Sequence, residues 1–376
     1  MTGSRSILVT GTGTTNKGAE LLLLAIKQQF DAIDGDFRLV VPANFGPFPD
    51  RAKYGLWTLL PEVPRGRWWF AGKLMPQGFR TSMGVVAEDE IEAIIDASGF
   101  AFGDQLGAAR VQQFAIDTKR WKKQGKKIVL MPQALGPFTN TAVRDAFEAV
   151  LRNVDLTFAR EEVSFGYASE LIPPGGKLGQ SPDFTNLLMP ISTSGGDIHA
   201  LIVPNHQMIA KTDSAQSKAY VPFLARLLAT LRERGLSTAV LLHDDRIDAK
   251  LVQPLRDEAE SPVHVIEESD PLKLKYLLGR AQLVVGSRFH ALCGSLSQGI
   301  PTIAVGWSHK YEMLLKDYGC PECVLNVNAS KEEVSRLVSS ILDSWKTRHE
   351  EIKSASSRLK RMSADMWRQT LEVIGV

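Results

Sequence analysis

The chain has 376 residues, 44% of them hydrophobic and 23% charged, with a formal net charge of +2. That is the mix of a soluble globular protein with room for two ordinary domains, and its near-neutral balance excludes nucleic-acid binding carried by overall charge. Cys293, Cys320 and Cys323 are too few for a disulfide framework, so a reducing, cytoplasmic compartment is expected.

No apolar run approaches the length of a membrane-spanning helix. A polar opening at residues 2–6 leads straight into a strand, which predicts no signal peptide. Cys320-Pro-Glu-Cys323 has zinc-knuckle spacing, but no second pair completes four ligands, so a turn is expected and no metal.

Residues 6–10 (SILVT) predict a strand, 11–18 (GTGTTNKG) a glycine-rich turn and 19–30 a helix that buries 21–26. Asn16 stands where a dinucleotide loop needs its third glycine, and Ala19-Glu20 replace the Lys-Ser/Thr pair of a phosphate loop. What remains is a loop that lets a ligand approach backbone amides, with Asn16 and Lys17 as candidate contacts. A tight turn with no ligand fits equally well.

A second strand at 37–41 precedes an irregular region, 42–84. Six basic residues there (Arg51, Lys53, Arg65, Arg67, Lys73 and Arg80) face one acid, Glu62. Arg65-Gly-Arg-Trp-Trp could stack a sugar or meet an anionic membrane surface at the inner face, and an ordinary surface excursion is the plainer reading. The strand 92–98 ends in Asp96-Ala-Ser-Gly-Phe, followed by Asp104. Next come a helix at 108–123, a strand at 127–131 running into Gln133, and a helix to 152 capped by Thr139 or Asn140. The strand 155–159 ends in Arg160-Glu161-Glu162, which puts Arg160 at the mouth of a parallel sheet unless it pairs with those acids.

Residues 189–196 (MPISTSGG) read as a linker. Strands at 199–203, 238–242 and 264–266 then alternate with helices at 218–234, 248–258 and 271–278. His206 follows the first of these strands and His243-Asp244-Asp245 the second. The stretch 282–310 is the centre of the chain: a strand at 282–285, a turn, a helix at 289–296 and a strand at 303–305. A unit this short implies parallel strands with a right-handed crossover, and ligands of such sheets lie beyond the carboxyl ends of the strands. Ser287, Arg288 and His290 occupy one such end, and Ser308, His309 and Lys310 the other. Basic groups gathered at a helix start make an anion site, with His290 able to move a proton. Charged helices at 331–345 and 350–373 close the chain.

The fold class expected is α/β: two Rossmann-like domains facing each other across a cleft, GT-B-like, with C-terminal helices able to cross back. Residues 1–190 would be an N-terminal domain on the acceptor side contributing Arg160. Residues 197–345 would be the donor-site domain, and 346–376 a C-terminal helix.

Taken together, GTGTTNKGAELL at 11–22, DASGFAFGDQLG at 96–107, MPQALGP at 131–137, FAREEVS at 158–164, SPDF at 181–184 and the stretch 286–310 resemble the polysaccharide pyruvyl transferase family. Phe289 departs from the leucine that is usual there, and 51–80 matches nothing in the pattern. The resemblance implies transfer of pyruvate from phosphoenolpyruvate to a sugar as a ketal, with phosphate release and no cofactor. The family's arginine in the Phe-Ala-Arg motif falls on Arg160, and its Arg-x-His on Arg288 and His290. It further implies arginines clamping the donor, His290 as general acid and Lys310 at the departing phosphate. Asn16, Lys17, Asp104, Gln133, His206, His243 and Ser287 are the remaining expected substrate contacts. The partners implied are phosphoenolpyruvate and a sugar or lipid-linked glycan. Rival readings are a nucleotide-sugar-dependent glycosyltransferase of the same plan and a non-catalytic sugar-binding protein. The first would place an acid in the helix after Arg288, and 289–299 holds none.

Overall fold

A computed structural model describes residues 4–60, 75–194, 198–244, 246–306 and 309–376. By internal packing the chain divides into two compact units, Met1–Phe184 with Met362–Val376, and Thr185–Arg361.

The first unit is built on eight strands: β1 (Arg5–Thr10), β2 (Phe37–Val41), β3 (Trp57–Leu59), β4 (Val85–Val86), β5 (Ile91–Asp96), β6 (Lys127–Gln133), β7 (Leu156–Ala159) and β8 (Leu178–Gln180). Their order is β4-β3-β2-β1-β5-β6-β7-β8, and every pairing is parallel. The second unit holds β9 (Ala200–Val203), β10 (Thr238–Leu242), β11 (Val265–Glu267), β12 (Leu283–Gly286), β13 (Thr302–Val305) and β14 (Val324–Leu325). Their order is β11-β10-β9-β12-β13-β14, again all parallel. The central strands read as near-continuous apolar runs because helices cover both of their faces, so β7, β9, β12 and β13 are buried along their whole length. The α/β class expected from the alternation is therefore the one observed.

Each sheet reverses direction once. In the first unit the chain winds outward from β1 to β4, returns to β5 beside β1, and winds the other way. In the second it does the same from β9, returning to β12. The crevices at these reversals, between the ends of β1 and β5 and of β9 and β12, are where ligands of doubly wound sheets sit.

Four strands went unpredicted: β3, β4, β8 and β14 are two or three residues long and lie at or next to sheet edges. Runs that short carry no readable period. The linker expected at 189–196 begins inside the second unit, whose boundary falls at Thr185. The two terminal helices expected at 331–345 and 350–373 are Lys331–Asp343 and one unbroken helix, Trp345–Ile374. The last turns of that helix belong to the first unit. There Trp367 is buried edge-on against Phe184, their rings 5.8 Å apart. Arg5 donates to the carbonyls of Ile374 and Gly375, satisfying the helix end. The sequence Cys320-Pro-Glu-Cys323 is a turn, closed by Cys323 N–H donating to the Cys320 carbonyl at 3.0 Å.

Candidate active site

Arg288 starts the helix Phe289–Leu296, directly after β12. Its guanidinium is held side-on by a carboxylate: Nε donates to Asp248 Oδ2 at 2.8 Å and Nη2 to Asp248 Oδ1 at 2.6 Å. Asp244 Oδ2 lies 3.6 Å from Nη2. The local pairing weighed for Arg288 is thus real, but its acid comes from the loop after β10, 40 residues away. Asp248 is wholly buried, and its oxygens also accept from the backbone N–H of His206 at 2.9 Å and of Asp244 at 3.2 Å. Burial pushes the Asp248 carboxyl up, while the hydrogen bonds and charge of Arg288 pull the other way.

Two parallel hydrogen bonds from Arg288 to an anion were expected, and its Nε edge already makes such a pair with Asp248. Nη1 donates to no group among the described residues, so the edge left for a substrate is the outer one.

Beneath Arg288, Ser287 is locked into the floor. Its carbonyl accepts from Asn205 Nδ2 at 2.9 Å and from Tyr311 OH at 2.8 Å. Its hydroxyl accepts from Tyr220 OH at 3.0 Å. Burial pushes the Tyr220 phenol far above its usual range, so it acts as a hydrogen-bonding post. Ser287, expected as a substrate contact, is 1% exposed, and its carbonyl and hydroxyl bond to these supporting groups. Asn205 and Ser287 join the ends of β9 and β12 across the reversal of the sheet.

His290 sits two residues into the helix, half-buried, its ring edge-on to Phe289 at 5.6 Å. Lys310, on the helix His309–Asp317, holds its ammonium 5.8 Å from the Phe289 ring and 5.2 Å from the Tyr311 ring. Arg288, His290, Lys310 and His206 thus all belong to loops or helix starts at the carboxyl edge of the second sheet. His243 is buried at the end of β10. Ser308 and Asp245 lie outside the described residues.

In the first unit, the corresponding reversal gathers a second polar cluster. Asp96, at the end of β5, is buried and accepts from Thr10 Oγ1 at 2.8 Å and Ser98 Oγ at 3.0 Å. Burial outweighs these bonds and raises its carboxyl above the ordinary range. Gln133 is fully buried, with Nε2 3.5 Å from Asp96 Oδ1. Arg160 is buried too, 3.5 Å from Asp183 Oδ2, while Glu161 spends its carboxylate capping the helix Glu162–Ser169. Three other expected contacts serve local structure. Asn16 caps the helix Lys17–Asp31 through Gly18 N–H, and Lys17 pairs with Glu20 at 3.3 Å. Asp104 accepts from Thr139 N–H, Thr139 Oγ1 and Asn140 N–H, pinning the turn before the helix Thr141–Leu151. Of the basic stretch, Arg51 donates to the Ala43 and Gly46 carbonyls and Arg80 pairs with Glu90, whereas Arg65-Gly-Arg-Trp-Trp lies outside the described residues.

Sequence reasoning missed Asp248, Asn205, Tyr220 and Tyr311 as parts of the site. Asp248 was read only as the first residue of a helix, and no local pattern ties it to Arg288. The histidines His206 and His243 were the available signal, since both mark loops that flank it.

Two parallel-sheet α/β domains, each with polar groups at the reversal of its sheet, define the GT-B-like class, and solved structures of that class are similar. HepE of Anabaena, solved with UDP-glucose, is 13% identical with a TM-score of 0.58, covering 99% of this chain and 100% of its own. The UDP-GlcNAc 2-epimerase of Neisseria meningitidis is 10% identical with a TM-score of 0.57, covering 98% and 99%. At such identities the likeness is one of fold. More particularly, the polysaccharide pyruvyl transferase family pattern matches residues 16–309, and the chain belongs to that family. The amylovoran biosynthesis protein AmsJ of Erwinia amylovora is 23% identical over 319 residues, 76% of this chain and 74% of its own. Among the described residues no helix is long and apolar enough to cross a membrane, and no group of three potential metal ligands gathers.

Proposed function

We propose that this chain transfers pyruvate from phosphoenolpyruvate to a sugar of a polysaccharide or its precursor, forming a ketal and releasing phosphate. The observation that carries the reading is the Arg288-x-His290 pair at the start of the helix Phe289–Leu296, with Arg288 fixed so that its outer edge is left to a substrate. Family membership and the name of AmsJ, an amylovoran biosynthesis protein, support the substrate class.

In the proposed reaction the outer N–H groups of Arg288 bind the donor's carboxylate or phosphate. The His290 imidazolium gives its proton to the methylene carbon of phosphoenolpyruvate while a sugar hydroxyl attacks the neighbouring carbon. The neutral imidazole then takes the hydroxyl's proton. A second hydroxyl of the same sugar then displaces phosphate from that carbon and closes the ketal, its proton leaving on the departing phosphate while His290 stays protonated for the next turnover. Lys310 is proposed to balance the charge of the departing phosphate. Arg160, buried at the carboxyl edge of the first sheet, is proposed as an anion ligand of its own unit.

The test is phosphate release from phosphoenolpyruvate with galactosyl, mannosyl and N-acetylhexosaminyl acceptors, lipid-linked forms included. Turnover should require both substrates, and His290→Ala should lower it about 10²- to 10⁴-fold with donor binding little changed. Near-normal turnover in that variant ends the acid assignment. Calorimetry that finds tight uridine or guanosine diphosphate and no phosphoenolpyruvate would favour a nucleotide-sugar glycosyltransferase instead.

A further inference from the structure

Asp248 stands apart from every residue that the sequence pattern singled out. It lies in the short 3-10 turn Asp248–Leu251, wholly buried, with both carboxylate oxygens engaged. Each oxygen accepts twice: Oδ1 from Arg288 Nη2 and His206 N–H, Oδ2 from Arg288 Nε and Asp244 N–H. Those donors sit in the loops that follow β9, β10 and β12, three adjacent strands of the sheet. One carboxylate therefore ties together three loops at the place where the doubly wound sheet reverses. Asp244 completes the knot, its own Oδ1 accepting from Ile247 N–H at 3.1 Å and its carbonyl from Asp248 N–H at 2.9 Å.

A guanidinium on a three-carbon stem has many rotamers, and a ligand binding a free one must order it first, at a cost in affinity. Here that ordering is done within the protein. The side-on pair fixes both the rotation of the planar fork and the direction in which Nη1 points. Asp248 cannot touch a substrate itself, since all its hydrogen-bonding capacity faces inward.

We propose that Asp248 is the positioning residue of the second unit's site: it fixes the Arg288 guanidinium with its outer edge presented to an anionic substrate. The claim rests on the proposed function only for the identity of that anion. It predicts that Asp248 acts on donor binding through Arg288 and through nothing else.

Two measurements on the full chain separate the claim from the reading on which it rests. The first needs no reaction. With ¹⁵N-arginine labelling, the Arg288 Nε–H signal is identified by its loss in Arg288→Lys. In the parent protein it should be shifted and slow to exchange, and in Asp248→Asn it should move and exchange at least 10-fold faster. The same signal unchanged in Asp248→Asn overturns the proposal, whatever the enzyme's substrate.

The second is a double-mutant cycle on phosphate release. Asp248→Asn should raise the donor KM on the order of 10- to 100-fold with a smaller change in kcat, and should change KM less than about 3-fold when Arg288 is already Lys. An equal factor in both backgrounds means that Asp248 acts independently of Arg288 and sinks the idea. Removing one partner of a buried pair can unfold a protein. Circular dichroism is therefore recorded first, and Asp248→Glu, which keeps the charge but displaces it by one methylene, carries both tests if the Asn variant fails to fold. A parent protein that releases no phosphate from phosphoenolpyruvate refutes the proposed function, and the exchange measurement still decides the role of Asp248.

Discussion

Single carboxylates in this chain take opposite roles according to what surrounds them. Burial pushes the Asp248 carboxyl up despite its guanidinium partner, whereas at Asp104 burial is the largest single influence and pushes upward, yet three hydrogen bonds from Thr139 and Asn140 together outweigh it and lower the carboxyl. A carboxyl lowered on folding stabilises the native state above its unfolded value and loses that contribution as pH falls through its folded value. Asp104→Ala should therefore lower the thermal midpoint at neutral pH, by the equivalent of about 1 kcal/mol for the lost bonds. The gap between variant and parent should stay constant above about pH 4 and close below it. A gap that widens in acid would show that Asp104 is not the charged pin of this turn. From sequence, Asp104 and Asn16 were read as candidate substrate contacts in loops that follow strands, and in the structure they pin a turn and cap a helix. A polar residue after a strand can equally serve a cap or a turn, and only its partners tell the two apart.

Elements were legible where their periodicity was long. The apolar runs of β1, β5, β6, β9 and β12 and the helices between them follow from spacing, and of the two caps expected, Thr139 or Asn140, it is Asn140 that caps the helix, accepting from the Ala142 and Val143 N–H groups. The loop after β1 shows how a glycine sets an element's end. Gly11 has φ +77°, and a Cβ there would stand 2.4 to 2.5 Å from the Ser98 backbone, at the end of neighbouring β5. Gly125, which ends the helix Ala108–Lys123, has the same φ but open space around it. Gly125→Ala should cost about 1 kcal/mol of left-handed strain, and Gly11→Ala clearly more, because the two strand ends must also part. Thermal midpoints of the two variants compare these directly. Equal losses would mean that the close approach of Gly11 to Ser98 carries no stability.

Across the whole molecule, the last helix gives its first residues to the second unit and Met362 onward to the first. Met366, Trp367, Thr370 and Ile374 are buried in the first unit's core. Trp367→Ala should cost about 3–5 kcal/mol there. Hydrogen exchange should quicken in β6, β7 and β8 and stay unchanged in β9 to β13. Equal loss of protection in both units would mean that the helix end does not belong to the first core in particular.

Alternating strands and helices, glycine turns, and the Arg-x-His after β12 are local patterns, governed by neighbours within a few positions, and the amino-acid order alone was enough to specify them. The partner of Arg288, the post under Ser287 and the engagement of Asp104 with Thr139 were decided by the tertiary structure. Each joins residues 24 to 67 positions apart, and a hydrogen bond depends on distances and angles in space that no spacing along the chain encodes.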